Sequence, residues 1–516
     1  MQELLRGSQM KAVDRYNIET LGIPSLVLME RAALAVAREA EKLSKPEDRV
    51  LFVCGMGNNG ADGLAAARML VLHGRKAEVL LVGDPARATE EHTVQRRILE
   101  KLDIPVNTMD SFPEYSIESP YGLVVDAIFG IGLSRPLAGE AEKAVSLVNR
   151  VASGGSRVLA VDIPSGISAS NGQVLGIAVK ADVTVTFGYE KVGMVLYPGT
   201  SYAGRRIVAD IGFAPVPHME PLARTFFPGE KGRLPRRPAD GNKGTFGRVF
   251  LAAGSAGMSG AACLSAKSAY RSGAGLVEVY TVEENRPIVQ TLVPEAVVTV
   301  YTPAVENGSE QEKYEGLLKR AAVLVAGPGL STEPYAGKLL AGLLQEAKKR
   351  EIPCVLDADA LNLLSGNREL FRYLHKNTVV TPHMGEMARL TGKTVAELKA
   401  DPIKAAADFH RETGAVCVLK DARTVVASEK GIYINCTGND GMATGGSGDV
   451  LSGILGGLLA GLSAEERQNG AVADLAELGV YLHGLAGDKA AERYGRRSMT
   501  AADLAASVSE VLLAWE

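Results

Sequence analysis

Short runs of aliphatic and β-branched residues recur along this chain, and each is followed by a segment with helical, amphipathic periodicity. In the first part of the chain the runs fall at 49–54, 77–82, 123–126, 157–162 and 182–187. Such alternation suits strands lying parallel in one sheet, because a parallel neighbour requires a crossover connection and a helix supplies it. The pattern predicts a doubly wound, three-layer α/β domain with a mainly parallel sheet. Periodicity then lapses around Pro215, Pro217, Pro221, Pro228, Pro235 and Pro238, with Arg233, Arg236 and Arg237 among them, so a linker is expected near 214–238. The alternation restarts at 248–253, 276–281, 322–326, 354–357, 378–381 and 416–420, which predicts a second, larger α/β domain. The expected domains are 1–215 and 225–516. A chain of 516 residues accommodates that division at about 100–200 residues per domain.

Composition narrows the partners. A net charge of −4 and the lack of any basic tract argue against nucleic acid, so an anionic ligand is expected to be small and held locally. The cysteines at 54, 263, 354, 417 and 436 are scattered, several of them inside apolar strand-like runs, which suits buried, reduced thiols. No CxxC or HExxH spacing occurs, leaving no case for zinc. The first forty residues mix acids and bases in an amphipathic pattern, unlike a secretory signal, and no stretch approaches the roughly 20 apolar residues of a membrane span. A soluble, cytoplasmic protein is expected.

Chemistry concentrates where strands end. Asn439-Asp440-Gly441-Met442-Ala443-Thr444-Gly445-Gly446-Ser447-Gly448-Asp449 runs straight into a helical stripe at 450, 451, 454, 455, 458, 459 and 462. Small residues let backbone N–H groups close around a phosphate, and the following helix N-terminus adds to the attraction. Asp449 then stands where a substrate hydroxyl meets that phosphate, and Gly445 to Gly448 form the anion hole. Lys420, at the end of a strand, can neutralise phosphate charge. In the first domain Gly55-Met56-Gly57-Asn58-Asn59-Gly60-Ala61-Asp62-Gly63 contains GxGxxG, the dinucleotide turn of dehydrogenases. Two amides and a carboxylate exceed what a pyrophosphate turn needs, and suit a sugar, an amide or a cation. Asp126 and Asp162, each at a strand end, are expected at the same sheet edge.

These phrases, with Gly22-Ile23-Pro24-Ser25-Leu26-Val27-Leu28-Met29-Glu30-Arg31, DAIFGIGL and VDIPSG, resemble the NAD(P)H-hydrate epimerase family across nearly all of 1–215. The resemblance implies a Rossmann-like domain that equilibrates the R and S forms of NAD(P)H hydrated on its nicotinamide ring. It implies that Asn58, Asn59, Gly60, Ala61 and Asp62, with Gly130, Ile131, Gly132, Leu133, Ser134, Arg135 and Pro136, hold the hydrate. Asn59, Asp126 and Ser165 would bind potassium, and Asp162 would contact the reacting ring and shuttle its proton. Ala61 stands where the family usually has glycine, placing an extra methyl close to the ligand.

Residues from about 230 to 516 resemble the ADP/ATP-dependent NAD(P)H-hydrate dehydratases, a ribokinase-like branch, through Gly327-Pro328-Gly329, Asp357-Ala358-Asp359-Ala360-Leu361-Asn362, Thr381-Pro382-His383-Met384-Gly385-Glu386 and the turn before Asp449. Met258-Ser259-Gly260-Ala261 and Tyr481-Leu482-His483-Gly484 also match. The resemblance assigns Lys420, Asp421, Ala422, Arg423, Thr424 and Asn439 through Gly448 to the nucleotide, and Ala261, Gly329, His383 and Asp449 to the hydrate. Magnesium is expected beside the phosphates. Asp421 replaces a usual glycine, and an acid there opposes anion binding unless it points away. Together the halves imply a bifunctional repair enzyme, with ADP or ATP as donor, small-molecule partners only, and a homo-oligomeric assembly. A ribokinase-like kinase of a small alcohol, fused to a non-catalytic binding scaffold, is the alternative.

Overall fold

The computed structural model describes residues 1–112, 121–303 and 308–516. The chain divides into two compact units, Glu3–Ala223 and Arg224–Glu516 with Met1–Gln2.

In the first unit β1 (Gln2–Leu5) pairs in parallel with β8 (Glu190–Lys191). The main sheet comprises β2 (Arg49–Gly55), β3 (Lys76–Val82), β4 (Val106–Thr108), β5 (Leu123–Ala127), β6 (Arg157–Val161), β7 (Val183–Phe187) and β9 (Arg205–Ala209). Their order is β4-β3-β2-β5-β6-β7-β9, with every pair parallel. Helices cover both faces, and the strands are accordingly apolar at successive positions. Val50, Phe52 and Cys54 enter one core while Leu51 and Val53 enter the other. Order reverses between β2 and β5, so the loops leaving these two strands diverge and leave a crevice at the carboxyl edge.

The second unit contains β10 (Ala223–Thr225), of which Arg224 pairs with Tyr433, then β11 (Arg248–Ala252), β12 (Leu276–Val282), β13 (Val297–Tyr301), β14 (Val323–Ala326), β15 (Cys354–Leu356), β16 (Thr378–Val380), β17 (Val416–Leu419), β18 (Val425–Ser428) and β19 (Gly431–Ile434). The order β13-β12-β11-β14-β15-β16-β17 is parallel, and β17-β18-β19 continues antiparallel. The reversal here lies between β11 and β14. Across it Gly254 N–H donates to Pro328 O (2.9 Å) and Ser255 N–H to Gly329 O (2.5 Å).

The helix Ser447–Ala460 departs from the one-sided stripe expected of it, since the positions opposite the stripe are buried as well. Glycine makes this possible. A Cβ on Gly453 would lie 2.2 Å from Ser265 O, and one on Gly457 would lie 2.4 Å from Ala269 O, so only hydrogen lets the helix lie against Ser259–Arg271. The helix that carries the anion turn is thereby clamped between a neighbouring helix and the sheet, which fixes its first turn in space.

Candidate active sites

In the first unit the strand–turn–helix at β2 is held by backbone-on-backbone contact. A Cβ on Gly60 would sit 1.7 Å from Gly55 O and one on Gly63 would sit 2.5 Å from Ala127 Cβ, whereas a Cβ on Gly57 meets nothing within 4 Å. Gly60 and Gly63 therefore seat the helix Asn58–Leu72 on the sheet, and Gly57 faces open space. Above it lies a cavity of about 420 Å³ lined by Asn58, Asn59, Asp62, Gly130, Ile131, Gly132, Leu133 and Asp162 among others. A Cβ on Gly130 would lie 3.0 Å from Asn59 Oδ1 and 3.1 Å from Asp162 Oδ2, so three strand ends converge within van der Waals reach. Gly60 and Ala61 are buried beneath this surface. Ala61 is not among the residues lining the cavity. Ser134, Arg135 and Pro136 are exposed and lie outside the lining residues.

Asp162 follows β6 in a left-handed conformation, φ 68°, which costs a non-glycine residue roughly 1 kcal/mol or more. Its Oδ1 accepts from Lys191 Nζ (2.6 Å) and Thr186 Oγ1 (3.2 Å). Lys191 is itself buried and also donates to Thr186 Oγ1 (2.7 Å) and Phe187 O (3.0 Å). All three ammonium protons are thus committed, and Asp162 Oδ2 is the oxygen left toward Gly130 and the cavity. Two further carboxylates face the same space. Burial, then the charge of Asp162, pushes Asp14 up to about 6 against the pull of Lys191. Burial, then Asp162 and Asp14, pushes Asp62 well above the usual carboxylate range. One ammonium among three carboxylates supports one firmly paired anion, and the pairing falls to Asp162. Neither Asp14 nor Lys191 was among the residues expected from sequence.

Asp126, fully buried at the end of β5, accepts from Ser165 Oγ (2.6 Å) and Ile128 N (3.2 Å) at Oδ1 and from Ser165 N (2.8 Å) at Oδ2. Burial outweighs these bonds and raises it to about 6. Asn59 Nδ2 is buried with no partner. A half-turn of that amide puts an oxygen at the orphaned position, so Asn59, Asp126 and Ser165 offer the hard oxygen donors a potassium ion takes. Among the described residues no group of three or more His, Cys, Asp or Glu is placed to hold a metal ion, so a cation here relies on mixed oxygens.

In the second unit Gly446, φ 94°, turns the chain into the helix Ser447–Ala460, and no side chain caps that helix. Apart from Ser447 N–H, which reaches Thr444 O at 3.4 Å, the first-turn N–H groups remain available to an anion. Asn439 locks the preceding turn: its Oδ1 accepts from Gly441 N (3.0 Å) and its Nδ2 donates to Asp488 Oδ1 (2.9 Å) and Gly487 O (3.0 Å). His483 Nε2–H donates to Ser447 O (2.9 Å), and burial depresses this imidazole to about 4, so it acts as a neutral strut. Asp449 is pushed up to about 7, first by burial and next by Asp357, with Lys420 opposing. A carboxylate near neutrality is suited to accept a proton at working pH.

Lys420 is less free than a phosphate-reading lysine read from sequence. Its Nζ donates to Asp357 Oδ1 (2.6 Å), and Asp357 Oδ2 accepts from Ser452 Oγ (2.8 Å). A Cβ on Gly448 would lie 3.3 Å from Asp357 Oδ2 and 3.4 Å from Lys420 Nζ, so the half-buried Lys420 and buried Asp357 lie against the anion turn. Asp421 is exposed, with Oδ1 accepting from Ala422 N–H (2.9 Å). Ala422 is exposed too, Arg423 donates to Cys436 O (3.2 Å), and Thr424 Oγ1 donates to Asp421 O (3.3 Å). Asp440 forms an exposed ion pair with Arg496 (3.3 Å). Gly329, φ 59°, abuts Ala261, since its Cβ would lie 3.2 Å from Ala261 Cβ. His383 caps the helix Met384–Thr391 by accepting Gly385 N–H at Nδ1 (2.9 Å), which leaves the proton on Nε2. Burial, then Lys420, lowers its basicity, so it is a neutral hydrogen-bond donor.

Residues 249–510 match the family described as NAD(P)H-hydrate dehydratase, and residues 25–193 match YjeF-related protein N-terminus. A bifunctional NAD(P)H-hydrate repair enzyme of Moorella thermoacetica is 38% identical over 520 residues, covering 97% of this chain and 95% of that one. The corresponding protein of Thermofilum pendens is 37% identical, covering 97% and 94%. An NAD(P)H-hydrate epimerase of Limosilactobacillus fermentum is 45% identical over 210 residues, 40% of this chain and 97% of that protein. A solved ADP/ATP-dependent NAD(P)H-hydrate dehydratase of Bacillus subtilis, co-crystallised with ATP/Mg2+, is 29% identical, covering 55% of this chain and 95% of that one at a TM-score of 0.45. With both units matched and relatives aligned from end to end, the chain belongs to the family of bifunctional NAD(P)H-hydrate repair enzymes.

Proposed function

We infer that this chain epimerises R- and S-NAD(P)H hydrate and dehydrates the S form to NAD(P)H at the expense of ADP or ATP. Epimerisation is assigned to 1–215 and dehydration to 225–516. The observation that carries the reading is Asp449, a carboxylate raised to about 7 at the lip of an uncapped helix N-terminus.

At this site Asp449 takes the proton of the hydrate's ring hydroxyl as that oxygen attacks the terminal phosphoryl group. The N–H groups of Gly445 to Gly448 and the Lys420 ammonium absorb the charge that develops, with His383 Nε2–H as a donor to the hydrate and Gly329 and Ala261 as its floor. The phosphorylated hydroxyl then leaves as phosphate, driven by the ring nitrogen lone pair, and loss of a proton from the adjacent ring carbon of the resulting iminium cation to solvent restores the double bond of NAD(P)H. Lys420, Asp421, Ala422, Arg423, Thr424 and the turn from Asn439 are assigned to the nucleotide. Magnesium would accompany the phosphates and neutralise part of their charge.

In the first unit Asp162 Oδ2 faces the cavity and stabilises the ring cation formed when hydroxyl departs, while Lys191 fixes the carboxylate's orientation. Asn59, Asp126 and Ser165 would hold potassium, whose positive charge would orient the ligand's oxygens. Among the described residues no helix is long and apolar enough to cross a membrane. Five free cysteines are consistent with reducing cytoplasm, where we place the enzyme, as a homo-oligomer acting on small molecules without nucleic acid or membrane.

Recovery of NADH absorbance from a mixed R/S hydrate, run with ADP, with ATP and with neither, tests both activities. Nucleotide-dependent recovery of nearly all hydrate is expected and names the donor. Recovery that stops at the S fraction removes the epimerase assignment, and a stable phosphorylated product with no NADH replaces the dehydratase with a kinase.

A further inference from the structure

The arginines of the Pro-punctuated stretch take no part in either reaction, yet Arg236 and Arg237 line the wall of a second cavity, of about 640 Å³, in the C-terminal unit. Gly247 and Ala322, which also line it, immediately precede β11 and β14, so it opens at the amino edge of the sheet, opposite the active-site edge. Arg271 and Arg467 also line it, so four arginines border one cavity. Arg237 Nη1 donates to Gly273 O (2.8 Å) and its guanidinium lies over Phe246 at 3.8 Å. Arg271 Nη1 donates to Ser509 Oγ (2.7 Å). Arg467 Nη2 donates to Leu462 O (3.0 Å), while its Nε is buried with no partner and burial pulls its basicity down. Every one of these bonds ends on a neutral oxygen; Glu516 also lines the cavity.

Four arginines outnumber the side-chain and terminal carboxylates of Glu516 in this lining, so the concave space keeps an excess of positive charge that favours a polyanion, and guanidinium forks match phosphate oxygens in pairs. The volume greatly exceeds a single phosphate. The cavity is also separate from the reaction centre: Asp449 lies in the first turn of the helix Ser447–Ala460 and Leu458 of its last turn lines the cavity, which is about 14 Å along the axis. We propose that this cavity binds a small molecule carrying more than one phosphate group, gripped by Arg236, Arg237, Arg271 and Arg467, at a site distinct from both reaction centres.

The test is amide hydrogen exchange on the full-length chain with and without inorganic pyrophosphate. Peptides from 234–247 and 457–467 report the proposed site, and the 439–449 turn reports the catalytic one in the same sample. Protection of the first two peptides is expected, fading as ionic strength rises. Charge reversal at exposed positions, Arg236→Glu and Arg271→Glu, is expected to weaken that protection by about tenfold or more each, with Arg97→Glu in the other unit as an unaffected control. Protection confined to 439–449, protection insensitive to salt, or protection left at the wild-type level by both reversals overturns the proposal. The wild-type exchange pattern decides the matter even where a variant folds poorly.

Discussion

Replacing Lys191 by methionine tests the central pairing of the first unit. The two side chains of the Lys191–Asp162 pair are only 1% and 10% exposed, and the ammonium donates to Asp162 Oδ1, Thr186 Oγ1 and Phe187 O. Methionine fills similar space but strands the Asp162 carboxylate beside Asp14 and Asp62, with two more acceptors unsatisfied. Breaking a buried pair from one side costs about 3–5 kcal/mol. For the unit Glu3–Ala223, at about 2–4 °C per kcal/mol, the expected loss is roughly 6–20 °C in Tm. Amide exchange of Val183–Phe187 during thermal unfolding reads this unit alone, with Ser447–Ala460 as the control in the same molecule. Adding Asp162→Asn removes the stranded charge, and the double variant is expected to regain most of the lost stability while staying inactive as an epimerase. A Lys191→Met protein within about 0.5 kcal/mol of the parent, or a double variant no more stable than the single one, refutes the reasoning.

Asp449→Ala is expected to lower dehydration by about a hundredfold or more while R/S exchange, followed chromatographically, continues; Asp162→Ala is expected to do the reverse. Equal loss of both activities in either variant contradicts the two-site division. With Asp449 raised to about 7, the kcat/KM for dehydration should rise with pH and level off above an apparent pKa near that value. The same shift acts on stability with a definite sign: the folded carboxyl holds its proton above the ordinary carboxyl value of 3.8, so this group's contribution falls as pH climbs from about 4 through 7. Gly448→Ala pushes a methyl to 3.3 Å from Asp357 Oδ2 and 3.4 Å from Lys420 Nζ, and is expected to weaken nucleotide binding in calorimetry while epimerisation is unchanged. Asp421→Gly, at an exposed carboxylate, should leave dehydration within about twofold, and a larger gain would mean the acid does oppose the phosphate.

Much of the molecule was legible in the chain itself. The expected runs at 49–54 and 416–420 appear as Arg49–Gly55 and Val416–Leu419, because a strand buried on both faces must be apolar at every position and so stands out. The expected 157–162 and 354–357 overran by one residue, since Asp162 and Asp357 sit just past β6 and β15 as the acids those strands deliver. The edge strands Val106–Thr108 and Val297–Tyr301 and the hairpin β18-β19 were missed, being short or half-exposed and so less uniformly apolar. Lys191 could not be found from sequence, because a lysine after a strand reads as a solvated charge, and only its burial reveals otherwise. His483 lay inside a matching phrase, but nothing local says that its ring braces Ser447.

What the sequence determined by itself was the set of local signals: parallel-sheet strands, glycines where backbones must touch, and acids delivered to carboxyl edges at Asp126, Asp162 and Asp449. Tertiary structure alone decided which charges meet. Adjacency of β6 and β7 puts Thr186 and Lys191 on Asp162, and the run β15-β16-β17 brings Lys420 over to Asp357, across 63 residues of chain. Local patterns are written in the covalent order, whereas electrostatic partnership depends on distance and burial through space, and these exist only after the sheet has chosen its strand order.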